Sequence, residues 1–163
     1  MNKISSYILL LFMALFTSCM ADSSAPKVIA LHFQETSSNE IPDIWFDFKT
    51  EEDGTCTLTN CTGRFPNEAL RAQVPAEVAD SLTQIVKEEK MRKYDNYYRP
   101  PFDVYDGWQW SLHIRFEDSP SLSSSGHMKR PSGDGLKRLE QYFKQVWEQV
   151  DESKAKTVNI HDR

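Results

Sequence analysis

The chain has 163 residues, with 24 Asp and Glu against 19 Lys and Arg and a formal charge of −5. That balance argues against a nucleic-acid partner, which wants a basic face. Aromatic residues are 12% of the chain, more than a disordered segment carries, so the body is expected to fold.

The chain opens on a leader. Lys3 gives a positive start, residues 7–16 are an almost unbroken apolar run, and Thr17, Ser18 and Cys19 follow. About ten apolar residues make a helix of roughly 15 Å, whereas a bilayer core needs about twenty, so the run suits a signal h-region and does not span. Phe16-Thr17-Ser18-Cys19 resembles the lipobox of bacterial lipoproteins, in the looser form common among Bacteroidetes. Ser18 occupies the small position before the cysteine, and Phe16 stands where leucine is usual. The resemblance implies that Cys19 receives a diacylglyceryl group and becomes the mature N-terminus. The partner it implies is the membrane, reached through an N-terminal lipid. The competing reading is an ordinary cleaved signal with an incidental cysteine.

Residues 1–18 are thus read as a signal peptide, 19–27 as a lipid tether, 28–150 as a single α+β domain and 151–163 as a polar tail expected to be mobile. Loss of the leader removes Lys3 and leaves 18 Lys and Arg against 24 Asp and Glu, a formal charge of −6. Such a charge offers no polybasic attraction to anionic headgroups, so membrane residence is expected from lipid chains alone. Cys56 and Cys61 are the other cysteines. An oxidising envelope permits a disulfide. Residues 56–61 read as a strand, however, and an odd separation puts the thiols on opposite faces, about 16 Å apart along the chain. A bond requires Cα atoms within about 7 Å, so it needs residues 58–60 to turn back.

The elements follow in order. Ile29, Leu31 and Phe33 alternate with polar neighbours in a first strand. Ile44, Phe46 and Phe48 alternate in a second, and Asp53-Gly54 turns the chain into a threonine-rich third, a β-hairpin signature. Residues 63–73 are less legible. Pro75 opens a helix whose apolar stripe is Val78, Leu82, Ile85 and Val86. Residues 94–107 carry four tyrosines and Pro100-Pro101 and read as a loop. Trp108, Trp110, Leu112, Ile114 and Phe116 then give five consecutive matches to period two, the cleanest strand in the chain. A serine-rich edge strand follows at 121–125. Ser132 or Asp134 caps a second helix with Leu136, Leu139, Phe143, Val146, Trp147 and Val150 on one stripe. The expected architecture is an antiparallel sheet of about five strands with both helices on its apolar face and the other face left to water. Its hairpin-then-helix order repeats, which allows a ββα duplication as well as a chance arrangement. This layout, with Asp106-Gly107-Trp108-Gln109-Trp110, resembles small Bacteroidetes lipoproteins, a likeness that implies a location and no known chemistry.

Chemical motifs are sparse. His32 and His113 point away from the apolar faces of their strands, His127 lies in a loop and His161 in the tail, so solvated surface histidine is the default. No pair has metal-ligand spacing, and neither metal nor cofactor is expected. Ser121, Ser123, Ser124 and Ser125 lack a nucleophile elbow and read as polar residues that blunt a sheet edge. Tyr94, Tyr97, Tyr98 and Tyr105 join planar apolar area to hydroxyl groups, as surfaces that bind sugars, peptides or proteins do. The bland alternative is a loop sealing one end of the sheet. The expected function is therefore that of a lipid-anchored cell-envelope protein, in the periplasmic or surface leaflet, whose non-catalytic domain binds an envelope protein or glycan. The alternative is an envelope hydrolase with a site assembled from scattered residues.

Overall fold

A computed structural model describes residues 25–37, 42–61, 68–104 and 106–160. The strands are β1 (Val28–Thr36), β2 (Ile44–Thr50), β3 (Cys56–Asn60), β4 (Glu68–Val74), β5 (Tyr97–Tyr98), β6 (Gln109–Phe116), β7 (Leu122–His127) and β8 (Lys156–Asn159). Two α-helices, α1 (Glu77–Glu88) and α2 (Gly135–Glu148), complete the fold with 3₁₀ turns at Met91–Lys93 and Glu152–Lys154. No helix among the described residues is long and apolar enough to cross a membrane.

The α+β class holds, but the sheet has eight strands rather than about five, in the order β5-β7-β6-β1-β2-β3-β4-β8. It is also mixed, because β5 runs parallel to β7 while the other pairs are antiparallel. Each extra strand is weak in sequence for a physical reason. β4 reads Glu-Ala-Leu-Arg-Ala-Gln-Val, with alanines where a strand usually has β-branched residues. β5 has two residues and sits beside prolines. β8 lies in the tail expected to be mobile, yet its polar Lys-Thr-Val-Asn pairs with β4 from Glu68↔Asn159 to Arg71↔Lys156. Pairing with an existing edge satisfies its backbone groups without an apolar run.

The core lies between one sheet face and both helices. The sheet supplies Leu31, Phe33, Phe46, Phe48, Leu58, Leu112 and Ile114, and α1 supplies Val78, Leu82, Ile85 and Val86 as its stripe predicts. From α2 come Leu136, Leu139, Phe143 and Trp147. Phe143 stacks on Phe46 of β2, ring centroids 5.1 Å apart and 18° from parallel. In β1, Val28 rather than Ile29 is buried, because the register shifts between Val28 and Ala30. A bulge of this kind moves one side chain across the sheet. Hairpins β2–β3 and β6–β7 flank β1 on opposite sides, while both helices share one face.

Helix starts and turns follow local rules with one exception. Pro75 precedes α1 and its carbonyl accepts the Val78 N–H at 3.1 Å. Asp134 holds the N-cap position of α2 but makes no side-chain cap bond. The β2–β3 turn is closed by Gly54 N–H to the Glu51 carbonyl at 3.0 Å, with Gly54 at φ +83°. The Asp53 carboxylate accepts from Thr55 N–H at 2.9 Å, which holds its carboxyl below the usual range. Both thiols are free. Cys56 is buried in the core, and Cys61 lies beyond the end of β3 with its Sγ 3.7 Å from the Glu68 carbonyl oxygen.

Gly126 of β7 sits where no side chain fits. A Cβ there would lie 2.4 Å from the Lys129 carbonyl oxygen and 2.4 Å from Trp110 Nε1. Those two atoms are themselves joined by a 2.8 Å hydrogen bond, donated by the indole. Gly126→Ala must displace backbone or a buried tryptophan, and overpacking of this kind costs about 1–3 kcal/mol. Chemical denaturation is expected to show that loss, and a variant as stable as the parent would mean that the 126–129 turn yields freely.

Candidate functional site

The aromatic segment after α1 is built in two layers. Met91 is buried within its 3₁₀ turn, and the chain then passes along β7. The Asn96 carbonyl accepts the Ser125 N–H at 3.1 Å, and Ser124 Oγ donates to the Asp95 carbonyl at 2.6 Å. The serines of β7 therefore clamp this segment. The strand expected as an open edge at 121–125 is covered by β5 at its end, where Tyr97 and Tyr98 pair with Ser125 and Gly126.

The clamp sorts the tyrosines. Tyr98 is half-buried with its ring 5.8 Å from Trp110, and its hydroxyl accepts the Asp95 N–H at 2.9 Å. Tyr94 is half-buried, meets Tyr98 edge-on at 6.3 Å, and lies so close to the start of α2 that a Cβ on Gly135 would be 2.4 Å from its hydroxyl. Burial, with Glu89 nearby, pushes the Tyr94 hydroxyl up to about 12. These two rings hold the segment to the core. Tyr97 is 55% exposed and Phe102 68% exposed, with Met128 the large hydrophobics most open to solvent among the described residues. Tyr105 lies outside the described residues, as do Cys19 and His161.

Trp110 is buried, whereas Trp108 is half-buried under the Arg130 guanidinium, 5.1 Å from the ring centroid. Arg130 also pairs with Glu35 at the end of β1. This joins the 128–131 turn to the sheet beside the aromatic segment.

The other sheet face carries a polar row legible only once the register is known. Ser123, His113, His32, Asp47, Thr59, Arg71 and Lys156 are aligned across seven strands. Ser123 Oγ and His113 Nδ1 are 2.8 Å apart, and Arg71 Nε donates to Thr59 Oγ1 at 3.1 Å. His32 departs from the solvated reading. Its side chain is 12% exposed, its ring meets Trp45 edge-on at 5.1 Å, and Nδ1 lies 3.4 Å from Asp47 Oδ1. This face is not left wholly to water either, since Trp45, Thr59 and Ala69 are buried along it.

A serine and a histidine in hydrogen-bond reach suggest a nucleophile and base. Here both side chains are exposed, in an open depression of about 550 Å³ that Asn96 and Ser121 also line, so solvent screens the charge that acyl transfer develops. His127 ends β7 opposite Gln109, four residues along from His113's partner Ser123. Among the described residues, no three His, Cys, Asp or Glu side chains come together as metal ligands. A cleft of about 590 Å³ lies between the ends of β2–β4 and the end of α2, where Trp147 Nε1 donates to Glu152 at 3.1 Å.

No protein-family profile matches the chain, and no curated protein matches it significantly.

Proposed function

We propose that this chain is a lipid-anchored domain of the bacterial cell envelope that binds a partner protein or glycan without transforming it. The supporting observation is the division of labour in residues 94–102. Tyr94 and Tyr98 are packed against the core, while Tyr97 and Phe102 stand out from a segment that β7 holds in place. Rigid aromatic area at low side-chain entropy cost is the material of contact surfaces. The anchor reading is supported by the lipobox-like Phe16-Thr17-Ser18-Cys19 and by an apolar run too short to span.

A Tyr97→Ala/Phe102→Ala variant is expected to lose capture of envelope proteins or glycans while its melting temperature stays within about 2 °C of the parent. Tyr98→Ala, by contrast, removes a ring from the Trp110 contact and is expected to melt lower. Capture that survives in the double variant would oppose this surface. A large fall in its melting temperature would return both rings to an architectural role.

A further inference from the structure

The chain's negative charge hides a local basic site. Residues 87–93 read Lys-Glu-Glu-Lys-Met-Arg-Lys and wrap the end of α1. Lys90 takes a left-handed conformation, φ 52°, which turns the chain so that Lys87, Lys90, Arg92 and Lys93 line one cleft of about 280 Å³. The lining contains those four cations and no carboxylate. The two glutamates in the run are not part of that lining: Glu88 and Glu89 both bind Arg138 of α2, at 2.6 and 3.0 Å, and Glu88 also feels the charge of Lys87. The cleft floor is apolar, and Arg92 is fixed over the Phe116 ring, 5.3 Å from its centroid.

The place of this cleft decides its occupant. Pro26 forms part of its wall, at the first described turn of the chain. From Cys19 to Ala25 is six residues, a reach of at most about 21 Å. We infer that this cleft is a docking site for anionic phospholipid headgroups, so that the domain lies with the end of α1 against the bilayer. The inference rests on the reading of Cys19 as the lipid anchor, because a lipid there holds the four cations beside the membrane. Cations take phosphate as point-charge and fork donors, and each one near an anionic surface is worth a factor of about five in partition. This docking would add electrostatic help to the lipid chains, which net charge alone does not suggest.

The test uses residues 20–163, which contain every described element and lack the anchor, with circular dichroism to confirm folding. Cosedimentation is measured with vesicles of phosphatidylcholine alone and of phosphatidylcholine with phosphatidylglycerol, at millimolar lipid. Binding is expected to the anionic vesicles only and to fall in high salt. Lys90→Gln/Lys93→Gln changes two exposed side chains, leaves the Arg92 contact intact, and is expected to lower partition about 25-fold. Three results would overturn the site: no binding to anionic vesicles, equal binding to both compositions, or unchanged partition in the variant. Displacement by millimolar inorganic phosphate at constant ionic strength would also overturn it, in favour of a free-anion site. Because this chain lacks Cys19, these results are independent of lipidation.

Discussion

Phe143→Ala is expected to cost about 3–5 kcal/mol of stability, the range for a buried phenylalanine whose cavity the surroundings fill only partly. The side chain is fully buried and stacks on Phe46, so truncation removes its own burial and uncovers a ring of the sheet. Natural domains have only about 5–15 kcal/mol in hand, so the variant should be marginal at 37 °C. His113→Ala on the open face provides the contrast. It removes a hydrogen bond to Ser123 at an exposed position and should cost under about 0.5 kcal/mol. Urea denaturation of the two variants tests which sheet face is the core. Equal losses would mean that the open face carries as much of the fold as the helix face.

The strongest signals in the sequence proved to be those that periodicity carries by itself. Of the five matches to period two, Trp110, Leu112, Ile114 and Phe116 of β6 are buried and Trp108, just before the strand, is partly buried. The stripe of α1 is buried for the same reason, as are Leu136, Leu139, Phe143 and Trp147 of α2, with Val146 and Val150 partly buried beside them. What escaped were elements that exist only through a neighbour. β8 has no apolar face and forms because β4 offers it an edge. β5 is two residues long, and a strand that comes 25 residues later holds it by donating from the Ser124 hydroxyl and the Ser125 N–H to the Asp95 and Asn96 carbonyls. Phe143 also lies over β2, two strands from β6, which no helical period could reveal.

The candidate sites show the same limit. Sequence picked out Tyr94, Tyr97, Tyr98 and Tyr105 as one surface, because four rings in one loop look alike in composition. Burial separates Tyr94 and Tyr98 from Tyr97 and brings in Phe102. The row from Ser123 to Lys156 joins residues scattered over 125 positions and depends wholly on register. The basic cleft was obscured by averaging. Four cations matter locally when Glu88 and Glu89 are turned toward Arg138, whatever the total charge. The run Lys-Glu-Glu-Lys-Met-Arg-Lys carried this signal only if the two glutamates could be paired elsewhere.

Cys19→Ala is expected to have the largest functional effect of any single substitution, because the proposed function makes its lipid the anchor on which every other feature depends. A diacylglyceryl cysteine carries two or three acyl chains after processing, and each buried CH₂ contributes about 0.8 kcal/mol. One chain gives only marginal binding, whereas two or more give a stable anchor. The variant should leave the membrane fraction or retain its leader. The most direct measurement is the intact mass of the mature protein extracted from membranes. The account predicts a chain beginning at Cys19 with the added mass of a diacylglyceryl group, with or without an N-acyl chain. A chain beginning at another residue, with no lipid mass, would contradict it.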